Sequence, residues 1–332
     1  MTMLHNKIIT LTFSPAIDKS ASVAALIPEK KLSCSTPVYE PGGGGINVAR
    51  AIKRLGGNAT AIYFAGGYPG RFFTKLLSKE NITTIPIQTI SPTRENLVIK
   101  EEASQKQYRF GMPGTKVSAT ECSRFLKAVE QSADFQYLVV SGSLPPGVPA
   151  TIFLKLAEIS STKKARLIVD TSGEALRYAL EAGVFLIKPN LKELASLVNE
   201  ETLSITQVEH ASKTLISKYK CEVIITSLGA DGAMMVTSDT MVRIFPPQVN
   251  VQSTVGAGDS MLAGVILGLY KQKNMVESAQ YGVACGTAAT LNPGTELCHL
   301  TDVERLYRMI RDTYAGQAGN LKFVEPELPD QL

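Results

Sequence analysis

The feature that most limits the folds open to this chain is a recurring unit. A short apolar run ends in a polar or glycine-bearing turn, and a stretch of helical spacing follows. The runs at 7–13, 137–140, 167–169, 185–187 and 223–226 end in SPAID, SGSLPPG, DTSGE, KPN and SLGADG. Runs this short and this apolar suit strands buried on both faces. The helical spacing of apolar residues at 46–55, 72–77, 122–129, 152–159, 191–198 and 208–217 predicts helices between them. Strand, turn and helix in alternation predict an α/β fold, with a mainly parallel central sheet and helices on both faces. Ligands of such sheets gather beyond the carboxyl ends of the strands, where the unusual turns fall.

With 332 residues, the chain suits one large α/β domain with appendages or two smaller domains. Its 44 % hydrophobic and 19 % charged residues are enough to build a sizeable core. The 34 basic residues exceed the 30 acidic ones by only 4 and form no runs, so no nucleic-acid surface is expected. No apolar stretch approaches the roughly 18 residues of a membrane span, and MTMLHNKIITLTFSPAID lacks the apolar run of a signal peptide. A soluble, cytoplasmic protein without membrane partners is expected. Cys34, Cys122, Cys221, Cys285 and Cys298 are odd in number and lack CxxC spacing, which predicts buried free thiols and neither disulfides nor zinc. His5, His210 and His299 are too scattered to suggest a histidine relay.

Two stretches, about 19–39 and 94–110, break the rhythm with the period-two alternation of antiparallel strands. Paired, they make a small sheet standing off the core. It serves as a lid over the strand ends, or it is an ornamental hairpin or an oligomer contact. Residues 315–332 carry no helix pattern and read as a tail.

Three turns carry the chemistry. In STVGAGDSMLAGVILGL, Gly256, Ala257 and Gly258 allow a tight turn, and Met261, Leu262, Val265, Ile266 and Leu269 begin a helix at once. Backbone amides at such a start hold an anion without a lysine. Asp259, in the first turn, is either an ordinary capping carboxylate or a base. As a base it takes a proton from a hydroxyl while the amides stabilise charge on a transferred phosphoryl group. A carboxylate beside an anion nest hinders simple anion binding, which favours the second role.

In PGGGGINVARAIKRLGG, the four glycines at 42–45 form a hinge or let a ligand pack against bare backbone, with Asn47 reaching ligand hydroxyls. The dinucleotide spacing fails because Asn47 stands where its third glycine belongs, and no P-loop is present. In IKPNLKEL, Asn190 and Glu193 form a variant of the capping box, or they aim an amide oxygen and a carboxylate at a hydrated Mg²⁺. Lys188 precedes them within reach of a nucleotide phosphate.

With GGGGINVAR, KPNLKEL, SLGADGA and STVGAGDS in that order, the chain resembles the ribokinase-like sugar kinases of the pfkB family over residues 7 to about 313. EPGGGGINVARAI, QYRFGMPG, SGSLPPGV, SGEAL and STVGAGDSM look most like the family's minor phosphofructokinase branch. The resemblance implies a single kinase domain over 1–332, a three-layer α/β/α sandwich with a small β-sheet lid, and ATP with Mg²⁺. It implies Asp259 as the base, the amides of Val255, Gly256, Ala257 and Gly258 as the anion hole, and Lys188 on a phosphate. Asn190 and Glu193 would organise Mg²⁺ through water, while Ser227, Gly229 and Thr287 line the nucleotide site. Asp18, Gly43, Gly44 and Asn47 would bind sugar hydroxyls. Oxygens at Ser253, Val255, Ala289, Asn292 and Gly294 match a potassium site, whose relation to Glu296 stays open.

The arginines bear on the substrate. Arg94 and Arg109 are spaced so that an antiparallel hairpin brings them together; on their own they are solvated surface, and by resemblance they clamp a substrate phosphate. Relatives acting on fructose 1-phosphate or tagatose 6-phosphate carry Gly-Gly-Lys-Gly, whereas Gly44 stands where that lysine would be. Lys31 supplies a substitute cation, from the same or a neighbouring subunit, or is merely solvated. The lid also serves as a dimer clasp in this branch, with Leu26, Ile27 and Val38 exposed for it. The reaction implied is ATP-dependent phosphorylation of the 1-hydroxyl of fructose 6-phosphate to the glycolytic 1,6-bisphosphate. The rivals are the same chemistry on tagatose 6-phosphate or fructose 1-phosphate, and a non-catalytic sugar or nucleotide sensor.

Overall fold

A computed structural model describes residues 7–318 of the chain. From the N-terminus run β1 (Ile8–Thr12), β2 (Ala16–Val23), β3 (Val38–Gly42), α1 (Gly44–Arg54), β4 (Thr60–Gly66), α2 (Gly67–Lys79), β5 (Thr83–Thr89), β6 (Arg94–Glu101), β7 (Gln107–Phe110) and α3 (Ala119–Glu130). Then come β8 (Tyr137–Ser141), α4 (Ile152–Thr162), β9 (Arg166–Asp170), α5 (Gly173–Ala182), β10 (Val184–Ile187), α6 (Leu191–Leu197), α7 (Val208–Lys218) and β11 (Cys221–Ser227). The chain ends with β12 (Ala233–Val236), β13 (Met241–Ile244), α8 (Ala257–Tyr270), α9 (Met275–Thr290) and α10 (Leu300–Ala318).

The central sheet has nine strands in the order β13-β12-β11-β10-β9-β8-β1-β4-β5. All its pairs are parallel except the β11-β12-β13 edge. Both faces are buried, which is why the strands read as unbroken apolar runs: in β8, Tyr137 and Val139 join one core while Leu138 and Val140 join the other. The first core packs under α1, α2, α8, α9 and α10, the second under α3 to α7. The result is the expected α/β/α sandwich.

The small sheet has four strands in the order β3-β2-β6-β7. The antiparallel expectation holds inside each arm, for β2 with β3 and β6 with β7. The arms themselves join in parallel, Ala16 opposite Arg94 through Val23 opposite Glu101. The reason is topological: β2 follows β1 and β6 follows β5, parallel strands of the central sheet, so both leave its carboxyl end in the same direction.

Three further expectations are corrected. Cys122, Cys221, Cys285 and Cys298 are buried free thiols, but Cys34 is exposed because the segment between β2 and β3 has no core beneath it. The segment read as a tail from 315 begins as helix: α10 continues to Ala318, through good helix formers such as Ala315 and Gln317. The rest of that segment and His5 lie outside the described residues. Leu26, expected to be exposed, is partly buried, its amide donating to Oε1 of Glu101 at 2.7 Å. Among the described residues, no helix is long and apolar enough to cross a membrane.

Candidate active site

The three singled-out turns converge at the carboxyl end of the central sheet. Gly256, at φ 73°, caps α8 in the left-handed region, and Leu297 crowds the position a Cβ would take, so glycine is required there. The first amides of α8 lack partners inside their own helix and point out of its head. Nζ of Lys188 lies 3.4 Å from where a Cβ on Gly258 would stand, which adds a cation to the same turn. Lys188 also pairs with Oδ2 of Asp170 at 3.2 Å. Burial works against its charge, but Asp170 and Asp259 outweigh that and hold the ammonium above its usual value.

Asp259, one residue beyond the turn, is bound from two other elements. Its Oδ2 accepts from Nδ2 of Asn47 at 2.9 Å, and its Oδ1 from Oγ of Ser141 at 3.3 Å. Burial, then the negative charge of Asp170, push its pKa up to about 6, against the pull of Asn47, Lys188 and Ser141. A carboxylate near this value is ionised at neutral pH yet basic enough to accept a proton.

Asn47 reaches Asp259 from the head of α1. There the glycine run meets the protein's own backbone, not open space: a Cβ on Gly44 would stand 2.3 Å from Ser141 Oγ, and one on Gly45 2.4 Å from the Leu11 carbonyl. The run is therefore not a hinge, and at these two positions the missing side chain makes room for the protein's own strand ends. It lets α1 seat directly on the ends of β1 and β8. Gly43, at φ 115°, completes the entry. Asp18 stands nearby on the small sheet, bound by Nδ2 of Asn96 at 2.8 Å; burial and then Glu40 raise its pKa, against Asn96, Arg94 and Arg50.

At the head of α6, Asn190 and Glu193 form a reciprocal capping box with both bonds at 2.8 Å. Helix initiation thus occupies Asn190 Oδ1 and Glu193 Oε2. Burial and Asp170 raise the Glu193 carboxyl, countered by the Asn190 amide and Lys188. Oxygen donors suit Mg²⁺, and with these two atoms engaged the fit is through the ion's water shell. Among the described residues, no group of three or more His, Cys, Asp or Glu is placed to hold a metal ion.

Ser227 adjoins this turn, its amide donating to the Pro189 carbonyl at 2.9 Å. Gly229, exposed at φ 64°, has open space where a Cβ would be, leaving room for a ligand. The Thr287 hydroxyl is instead spent on the Val283 carbonyl of its own helix at 2.8 Å. Ser253, Val255 and Gly294 are brought together: Ser253 Oγ donates to the Gly294 carbonyl at 2.7 Å and accepts from the Val255 amide at 3.2 Å. The Asn292 amide donates to the Ala289 carbonyl, and its side chain to the Leu297 carbonyl. Glu296 faces away from this cluster, toward His299 at 2.8 Å and Arg54 at 3.9 Å.

The two arginines are not brought together. Arg109 lies opposite Val98, so Arg94, on the same face, is four residues along the strand, about 13 Å away. The hairpin's register, set by its turn, excludes the expected pairing. Arg94 donates to the carbonyls of Met112 at 2.7 Å and Ser14 at 3.1 Å, while its buried Nε has no partner. Arg109 is exposed and bonded to Gln107. Lys31 is exposed beyond β2.

Ser141 and Asp170 belong to this site although no motif singled them out. Each ends a central strand and is the first residue of a turn already recognised at a strand end, SGSLPPG for Ser141 and DTSGE for Asp170. That placement was the available signal.

Known proteins share this chain's sequence and fold. Residues 12–302 match the pfkB family carbohydrate kinases. The ATP-dependent 6-phosphofructokinase isozyme 2 of Escherichia coli K12 is 44 % identical over 302 residues, 91 % of this chain and 98 % of that protein. A 1-phosphofructokinase of Borreliella burgdorferi is 32 % identical, over 92 % of this chain and 97 % of that protein. The crystal structure of the Escherichia coli phosphofructokinase-2 in complex with potassium superposes with a TM-score of 0.89 at 43 % identity, covering 92 % of this chain and 99 % of that one. A tetrameric inhibited form of the same enzyme gives 0.87 at 42 % identity, with the same coverage. With the family match spanning most of its length and relatives alike in sequence and fold, the chain belongs to the pfkB family of carbohydrate kinases and is a phosphotransferase with an alcohol acceptor.

Proposed function

We propose that the chain, as a single kinase domain, transfers the γ-phosphoryl group of ATP to the 1-hydroxyl of fructose 6-phosphate. The observation that carries this reading is the raised, doubly hydrogen-bonded carboxylate of Asp259 at the glycine-capped head of α8. Asp259 accepts the proton of the attacking hydroxyl. The amides of Gly256 and Gly258, with Lys188, face the charge that grows on the migrating group, whereas those of Val255 and Ala257, expected in the same role, are engaged by Ser253 Oγ at 3.2 Å and the Thr254 carbonyl at 3.4 Å. Asp18, Asn47 and the entry glycines Gly43 and Gly44 hold the sugar, and Arg94, with its free Nε, takes the 6-phosphate. Ser227 and Gly229 border the nucleotide. Mg²⁺, held through water by Glu193 and Asn190, would supply neutralisation of the nucleotide phosphates.

Gly44 in place of a lysine and the 44 % identity to a 6-phosphofructokinase favour fructose 6-phosphate over fructose 1-phosphate and tagatose 6-phosphate. The clustering of Ser253, Val255 and Gly294 supports a potassium site, in keeping with the potassium complex of the relative. The exposed Ile27 and Val38 support association of two copies through the small sheet, which sedimentation analysis tests.

An assay of ADP release with ATP and each phosphosugar tests the central reading. Preference for fructose 6-phosphate supports it, preference for another ketose phosphate redirects it, and binding without turnover of any would point to a sensor.

A further inference from the structure

Glu40 occupies an unusual position. It lies directly opposite Asp18 in the β2-β3 pair, so two carboxylates share one face of the small sheet. Like charges directly opposite each other destabilise a sheet, and Glu40 raises the pKa of Asp18. Specific partners hold Glu40 there. Its Oε1 pairs with Nη2 of Arg50 at 3.4 Å, and its Oε2 accepts from Oγ1 of Thr295.

Both partners are fixed. Arg50 is buried in α1, where it also binds the Pro41 carbonyl at 2.9 Å and Glu80. Thr295 sits between α9 and α10, next to Gly294, whose carbonyl is bound by Ser253 near the GAGD turn. The loop has further anchors, since Arg54 and Asn292 both donate to the Leu297 carbonyl at 3.0 Å. One unbroken series of contacts therefore runs from the α8 entry, through Ser253, Gly294, Thr295 and Glu40, to the strand facing Asp18.

We infer that Glu40 is a positioning residue, tied by Thr295 to the loop beside the phosphate-binding turn, and that this tie sets Asp18 at the sugar. The inference rests on the function proposed above. Because the loop keeps its other anchors when the Thr295 hydroxyl is lost, the effect falls on β3 and its neighbour β2. The sugar side loosens while the nucleotide side stays in place.

The test is steady-state kinetics and thermal melting of Thr295→Val, Thr295→Ser, Glu40→Gln and the Glu40→Gln/Thr295→Val double variant. Thr295→Val should raise KM for fructose 6-phosphate about tenfold, as loss of a bond to a charged group does, with KM for ATP nearly unchanged. Thr295→Ser should restore it, and the double variant should be no worse than the poorer single one. Equal rises in both KM values, no change in either, additive effects, or failure of serine to rescue would each overturn the inference. Wild-type protein that turns over no phosphosugar would instead overturn the proposed function, and the inference with it.

Discussion

The side-chain amide of Asn47 donates to Oδ2 of Asp259 across 2.9 Å, joining residues 212 positions apart and locking the head of α1 to the head of α8. The bond favours the ionised carboxylate, opposing the burial and the Asp170 charge that raise it. Asn47→Ala removes that opposition. The acid limb of the kcat/KM profile should move to higher pH by about half a unit to one unit. Stopped activity assays between pH 5 and 9, a span of roughly the range over which His and perturbed carboxyls titrate, would show no movement if the bond is incidental.

In the unaltered protein, a base with a pKa of about 6 must be deprotonated to act. kcat/KM should therefore be flat near neutrality and fall tenfold per pH unit as pH drops below that value. A limb centred near the ordinary aspartate value of 3.8 would exclude Asp259 as the group being titrated.

The same raised pKa costs stability. The folded value lies above the unfolded 3.8, so the contribution of Asp259 is fully present below 3.8 and is lost as pH rises through about 6. Asp259→Asn should therefore be more stable than the parent at pH 8, by about 1–3 kcal/mol after discounting for partial solvation, and melt at a higher temperature. The two melting curves should converge near pH 4, below the proton-binding range of the folded carboxyl. Calorimetry at both pH values checks the sign.

Arg94 and Arg109 should now separate. Arg94, anchored by two carbonyls with Nε free, should on change to Ala raise KM for the phosphosugar by about tenfold or more while KM for ATP stays nearly constant. Arg109→Ala should have a clearly smaller effect, since that side chain is exposed and spent on Gln107. Equal effects would mean that Arg109 moves to the substrate.

The sandwich was legible because strands buried on both faces leave uninterrupted apolar runs, as in YLVV at 137–140 and VII at 223–225. The GAGD turn was legible because a left-handed cap followed at once by an apolar helix has a local signature. The pairing of β2 with β6 was not, because its direction depends on where β1 and β5 deliver the chain. The packing that requires glycine at 44 and 45 was hidden for a related reason: Ser141 and Leu11, which they pack against, are distant in sequence. Ser141 and Asp170 open turns that were recognised, SGSLPPG and DTSGE, but their part in the site is visible only once their strands stand side by side.

Whether Asp259 removes the proton is tested most directly by single-turnover kinetics of Asp259→Asn, with nucleotide affinity measured by calorimetry in parallel. The account predicts a fall in kcat of about three orders of magnitude or more with ATP affinity within a few-fold of the parent. Retention of kcat in a variant that still binds ATP would contradict it.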